Sequence, residues 1–249
     1  MKKYKTGLVL SGGGARGFAH LGAIEALAEK GIRPDVISGV SAGSIVGAFI
    51  AAGKSPGEIL KIFKKGGFLK YTKLHLPKNG LLKLDGLREV IESEIDAKNI
   101  EELKIPLFIG VSNLNSGRIE YRNSGPLALT VLASSSIPIL FAPIEIDGEF
   151  FVDGGLMNNI PIAPIKDLCD ELIVSNITPL LPNVSTKNLI QVASRTFHMT
   201  INANIGEARD AATIFIEPAG IDNYELLSNS HADEIYELGY NSTRAVLEK

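Results

Sequence analysis

GLVLSGGGARGFAHLGAIEALAEKG, residues 7–31, holds the first decision about the fold. Gly7–Leu10 is a short apolar run suited to a buried strand, and Gly12–Gly17 is a glycine-rich turn. From Phe18 to Lys30 the apolar residues Leu21, Ile24, Leu27 and Ala28 recur at helical spacing, and Gly31 stands where a helix commonly stops. The scheme repeats in VISGVSAGSIVGAFIAAG, residues 36–53. A strand at Val36–Ser38 leads into a sharp turn at Gly39–Gly43, then an apolar helix to Ala52 with Gly53 as its stop. Strand–helix–strand–helix with right-handed crossovers makes the two strands parallel and neighbours. Their two turns then share the carboxyl edge of a sheet, where α/β proteins bind ligands.

The rest of the chain extends this layout. Residues 56–104 read as helical with an irregular middle, and Pro106 opens a strand, PLFIGVSNL, that turns through NSGR into IEYRN as a hairpin. GPLALTVLASSSIP reads as a helix ending in a polar loop. IEIDGEFFVDGG is a second hairpin turning at Asp147-Gly148. Strands at Leu172–Ser175 and Thr213–Glu217, a long helix near Ser185–Glu207 and a last helix near Ala232–Lys249 complete the order. No internal repeat or linker interrupts it. The expectation is α/β: one three-layer α/β/α domain over residues 1–249 with a mostly parallel central sheet.

Composition narrows the function classes. The 249 residues are 45 % apolar and 21 % charged, with a formal net charge of −3, so there is no general basis for nucleic-acid binding. A single cysteine, Cys169, excludes an internal disulfide framework and suits a reducing cytoplasm. Its setting, IKDLCDELIV, fits packing at the start of a buried strand. The basic head of the chain precedes only a four-residue apolar run, too short for a secretory leader, and no segment approaches the roughly 18 uninterrupted apolar residues of a membrane span. A soluble, cytoplasmic chain is expected. No cluster has metal-ligand spacing, and no cofactor is expected.

Gly39-Val40-Ser41-Ala42-Gly43 is a G-x-S-x-G between a strand and a helix, the context in which that pattern marks a nucleophilic serine. A serine cap on an ordinary turn is the plainer alternative. If Ser41 attacks a carbonyl, the backbone N–H groups of Gly12, Gly13 and Gly14 on the neighbouring turn are placed to hold the oxyanion. Gly12 to Gly17 also satisfies G-x-G-x-x-G, yet the second strand ends in Ser38-Gly39-Val40-Ser41 rather than in the acidic residue that binds a ribose. No Gly-Lys-Ser/Thr of a P-loop follows either. Nucleotide or anion binding by the glycine loop stays as the non-enzyme alternative.

A base for Ser41 is offered by Asp153, which closes an apolar strand before Gly154 and Gly155; taken alone, an Asp-Gly turn capping the next segment is the better explanation of it. Histidine is the usual partner, and Ser41, Asp153 and His198 or His231 follow the chain order of an α/β-hydrolase triad. None of His20, His75, His198 and His231 sits in a loop after a late strand. Structural or surface roles suit them better, with a triad through His198 or His231 kept as an alternative. Arg16 either binds a substrate phosphate or carboxylate or pins the glycine loop to backbone carbonyls.

GGGARG, GVSAG and DGG, with ASSSIPILFAP before the last, resemble the patatin-like phospholipases, and in particular short bacterial members related to the esterase domain of neuropathy target esterase. The resemblance spans about residues 7–162. It implies a serine–aspartate dyad without histidine: Ser41 as nucleophile, Asp153 as proton acceptor, Gly12–Gly14 as oxyanion hole. Arg16, Gly17, Gly39, Gly43, Gly154 and Gly155 belong to the same motifs. It implies hydrolysis of lipid or lysophospholipid esters through an acyl-enzyme. KIFKKGGFLKYTKLHLPKNGLLK, residues 61–83, carries seven lysines and no acid among apolar residues. It fits either a flap meeting an anionic membrane surface or a solvated cover over the sheet edge.

Overall fold

The structure is a computed structural model describing residues 2–65, 84–138, 140–179, 199, 205–226 and 228–248. The strands are β1 (Tyr4–Leu10), β2 (Val36–Val40), β3 (Leu107–Asn113), β4 (Arg118–Arg122), β5 (Ile144–Ile146), β6 (Glu149–Asp153), β7 (Cys169–Ser175) and β8 (Ile214–Ile216). The helices are α1 (Phe18–Glu29), α2 (Ala42–Ala52), α3 (Pro56–Lys65), α4 (Asp85–Glu94), α5 (Leu127–Ser134), α6 (Ile205–Ala211) and α7 (Ala232–Leu247).

All eight strands join one sheet. β3, β2, β1, β7 and β8 lie side by side and parallel, and the two hairpins β3–β4 and β5–β6 add the antiparallel part. Side chains alternate between faces along each strand. Leu8, Leu10, Ile37, Ile109 and Ile173 enter one core, while Val9, Val36 and Val174 enter the other. The three expected layers are unequal among the described residues. The first core receives α1 to α5 and α7, whereas Ile160, Ile162 and Ile165 of the chain before β7, with Ala208 of α6, cover the second.

The register around β3 positions the site. Along one side β3 pairs with β4 from Ile109↔Arg122 to Asn113↔Arg118. Its other side pairs first with β2, ending at Gly110↔Val40, and then with β6, beginning at Val111↔Asp153. β2 and β6 therefore run toward each other along the same side of β3. Their ends face consecutive residues, about 3.3 Å apart along a strand. The residue after Val40 is Ser41, so the sheet itself brings Ser41 and Asp153 together.

Several boundaries differ from the sequence expectation. β1 starts at Tyr4, because the parallel pairing with β7 begins at Tyr4↔Cys169. The turn expected over Gly39–Gly43 shrinks to Ser41 alone: β2 runs through Val40 and α2 begins at Ala42. β8 is shorter than Thr213–Glu217. Of the helix expected near Ser185–Glu207, residues 185–198 and 200–204 lie outside the described residues, and the described helix is Ile205–Ala211. The Asp147-Gly148 hairpin stands, with both residues at positive φ, 54° and 80°.

Candidate active site

Ser41 occupies a strained position. It has φ 52° and ψ −125°, a region that non-glycine residues rarely enter, and it is 7 % exposed. Hydrogen bonds to its backbone hold it there, one of them from the Ser44 hydroxyl to its carbonyl at 2.7 Å. Its N–H donates to Ser134 Oγ at 2.9 Å, and its carbonyl accepts from the N–H groups of Ser44 and Ile45 in the first turn of α2. The turn is this tight because α2 starts against β1: a Cβ on Gly43 would stand 2.2 Å from the Leu10 carbonyl oxygen. The hydroxyl is thus lifted from the sheet edge at a helix N-terminus.

Asp153, 3 % exposed, ends β6 beside it. Its Oδ1 accepts from the Gly155 N–H at 2.7 Å, and its own N–H donates to the Ser136 carbonyl at 2.9 Å. Burial pushes the carboxyl up from 3.8 to about 7, while hydrogen bonds from the Ser41 hydroxyl and the Gly155 N–H pull the other way. A carboxyl at about 7 is a far better base at neutral pH than an exposed one.

The glycine turn leaves β1 next to Ser41 and passes through a short 3-10 turn, Gly14–Gly17, into α1. Its amides divide. The Gly12 N–H donates to the Asn159 carbonyl at 3.2 Å, so it is already engaged. This departs from the expectation that all three glycine amides are open. Those of Gly13 and Gly14 have no hydrogen-bond acceptor among the described residues. Gly14 has φ 56° and its missing Cβ would stand 2.1 Å from the Leu226 carbonyl oxygen, so only glycine fits there.

The C-terminal part of the chain clamps this turn. Ala15 N–H donates to the Leu226 carbonyl at 2.7 Å, and buried Arg16 donates through Nε to Tyr224 O and through a terminal nitrogen to Asp222 O. Of the two readings of Arg16, the contacts made are those of a loop fastener. Arg16→Met should therefore lower stability by about 1–3 kcal/mol, by orphaning two carbonyls. Thermal unfolding checks this; an unchanged melting temperature would contradict it.

Asn159 was not singled out from sequence, although it lies in DGGLMNNIPI. Its Nδ2 donates to Thr178 Oγ1 at 2.7 Å, and its Oδ1 packs against Gly12 and Gly155. It therefore ties the glycine turn, the Asp153 turn and the segment after β7 into one unit. Gly17 and Gly39 pack the two elbows, and Gly154 stacks on the Gly110 carbonyl where β2 and β6 meet.

A cavity with an open mouth leads from Ser41, Gly14 and Ala15 between the helices. Phe18, Leu21, Ile45, Ile59, Phe63 and Leu87 give it an apolar wall. Ser135 lines it as well. Ser135 Oγ is buried and has no hydrogen-bond partner among the described residues, a state that costs about 1–3 kcal/mol.

His20 is fully buried, and burial pushes it down to about 4. The Ser11 carbonyl can only accept, so Nε2 carries the proton and donates to it at 2.9 Å, while Nδ1 accepts from Ser175 Oγ at 2.8 Å. It fastens α1 to the ends of β1 and β7. His231 begins α7, half-exposed, with Nδ1 toward Glu234 at 3.0 Å and its ring on Tyr224. No described contact joins His231 to Ser41 or Asp153. His75 and His198 lie outside the described residues, as does the lysine-rich stretch from 66 to 83. Of its first lysines, Lys61 is exposed and Lys64 pairs with Asp233 of α7. Among the described residues no acidic, His and Cys cluster could hold a metal ion, and no helix is long and apolar enough to cross a membrane.

A sequence model described as patatin-like phospholipase matches residues 8–165, the stretch that contains the glycine turn, Ser41, Asp153 and Asn159. An uncharacterized NTE family protein of Mycobacterium tuberculosis is 32 % identical over 173 residues, covering 69 % of this chain and 48 % of that protein. Lysophospholipase nte1 of Emericella nidulans is 28 % identical over 287 residues, covering 98 % of this chain and 18 % of that protein. The chain thus spans about half the length of the mycobacterial relative and under a fifth of the fungal one. Among solved structures, VipD from Legionella pneumophila superposes with a TM-score of 0.55 at 16 % identity, covering 99 % of this chain and 67 % of that one, a likeness of fold. With its model matched over well over half of the residues, the family is shown: this chain belongs to the patatin-like phospholipases.

Proposed function

We propose that the chain is a serine acyl hydrolase, acting as one unit on carboxylic esters of lipids such as lysophospholipids. The observation that carries this reading is the strained Ser41 beside a buried Asp153 raised to about 7, at the head of an apolar cavity. Ser41 Oγ attacks the ester carbonyl as its proton passes to Asp153. The N–H groups of Gly13 and Gly14 receive the charge that develops on the carbonyl oxygen, each such donor being worth about 10²–10³ in rate. The C–O bond to the leaving alcohol breaks, the alcohol takes the proton back from Asp153, and the acyl group remains on Ser41. Water, deprotonated by Asp153, then attacks the acyl carbon, the bond from that carbon to Ser41 Oγ breaks, Ser41 Oγ takes the proton back from Asp153, and the fatty acid leaves. The acyl chain lies along the wall of Phe18, Leu21 and Ile59, with its apolar surface removed from water.

The buried carboxylate must be ionised to act, so activity should rise with pH through about 7 and level off above it. A histidine triad gives a similar curve, and the variants separate the two. Hydrolysis of a long-chain acyl ester should keep the same profile and most of its rate in His198→Ala and His231→Ala. A folded His198→Ala or His231→Ala protein that had lost hydrolysis would replace the dyad by a triad. A protein binding nucleotide through its glycine loop, without esterase activity, would contradict both.

A further inference from the structure

Three consecutive serines follow the body of α5, and two of them are committed. Ser134 Oγ accepts from the Ser41 N–H and donates to the Gly110 carbonyl at 2.7 Å. Ser136 donates through Oγ to the Leu132 carbonyl at 2.8 Å, and its own carbonyl holds the Asp153 N–H. The tripeptide is thus tied at one end to the nucleophile and at the other to the aspartate. Ser135, between them, is 8 % exposed, lines the cavity at Ser41, and has a hydroxyl with no partner among the described residues. Folded proteins rarely leave a buried hydroxyl unpaired, and a site waiting for a ligand is one place where they do.

We propose that Ser135 is a substrate-binding residue whose hydroxyl donates a hydrogen bond to the leaving oxygen of the bound ester. The inference rests on the acyl hydrolase reading above. Under that reading the carbonyl oxygen is served by the Gly13 and Gly14 amides, on the other turn. The leaving oxygen has to receive its proton from Asp153, and Ser135 belongs to the segment that holds Asp153 by its backbone. The hydroxyl is buried in this structure and held by no other partner among the described residues, so a rotation about its Cα–Cβ bond turns it into the cavity toward that oxygen, where it stabilises the negative charge that grows as the C–O bond lengthens. The same contact selects the class of substrate. An ester oxygen accepts a hydrogen bond well and a thioester sulfur accepts one weakly, so Ser135 favours oxygen esters over thioesters of the same acyl chain.

The test compares kcat/KM for a monoacylglycerol and for the matching monoacyl thioglycerol thioester, using the full chain and its Ser135→Ala and Ser135→Thr variants. Ser135→Ala should lose about tenfold or more on the oxygen ester and change little on the thioester. Its melting temperature should be equal to or above that of the unchanged protein, because the hydroxyl removed was unpaired. Ser135→Thr, which keeps the hydroxyl, should retain most of the preference for the oxygen ester and serves in its own right if the alanine variant does not fold. Unchanged kinetics in Ser135→Ala, or equal losses on both esters, would overturn the inference while leaving the acyl hydrolase standing. A folded, unchanged protein that cleaves neither ester would overturn both.

Discussion

Asp153→Asn is expected to abolish most ester hydrolysis while making the protein more stable at neutral and alkaline pH. The catalytic loss follows from the proposed role of Asp153 as proton acceptor: Asn keeps the shape and still accepts from the Gly155 N–H, but would take no proton from Ser41. A general base contributes about 10²–10⁴ in rate, and a loss in that range is expected in kcat. The stability gain follows from burial. In the folded chain Asp153 titrates at about 7 instead of 3.8, so between those values the folded state binds the proton more tightly than the unfolded state does. Protonation therefore supports the fold fully below pH 3.8, and this support is lost as pH rises through 7. Three pH units correspond to about 4 kcal/mol as an upper bound. At pH 8 the variant should melt several degrees above the unchanged protein, with the difference closing toward pH 4. A variant less stable than the unchanged protein at pH 8 would show that the carboxylate is well solvated in the fold.

Replacing Ser41 should have the largest effect on activity. If Ser41 is the nucleophile proposed above, its loss together with the action of its base removes about four orders of magnitude or more, so Ser41→Ala and Ser41→Gly should both fall to background on every ester. The two should differ in stability. Alanine inherits the φ of 52°, whereas glycine enters that region freely, and such strain is worth about 1–3 kcal/mol. Ser41→Gly should therefore unfold at higher denaturant than Ser41→Ala. Equal stability of the two would mean that the elbow relaxes rather than being held by Ser134 and α2.

Much of this site could be read from the sequence because it is built from local signals. The two strand–turn–helix units from Gly7 to Gly53 have glycines where backbones must crowd, and the Asp147-Gly148 turn fixes the hairpin that delivers Asp153. What could not be read is the long-range register. Nothing in the residues of β3 says that β2 stops at Gly110 and β6 takes over at Val111, yet this exchange sets Ser41 beside Asp153. The clamp on the glycine turn was equally hidden. Asp222, Tyr224 and Leu226 act through their backbone carbonyls, and a carbonyl has the same chemistry whatever side chain follows it. Arg16, by contrast, was legible as a charge that had to go somewhere, but its partners were not. The engagement of the Gly12 amide was hidden for the same reason, because its acceptor is the backbone carbonyl of Asn159. The three serines 134–136 were visible as a polar helix end, and only their contacts distinguish the two that hold the backbone from the one left unpaired.

The most direct test of a nucleophilic Ser41 is covalent capture. The folded protein is incubated with a long-chain fluorophosphonate, digested, and the adduct located by peptide mass spectrometry. The account predicts one phosphonyl group on the peptide bearing Ser41, formed faster as pH rises through about 7 and absent from Ser41→Ala. A folded protein that takes up no label, or one labelled on another residue with Ser41 intact, would contradict it.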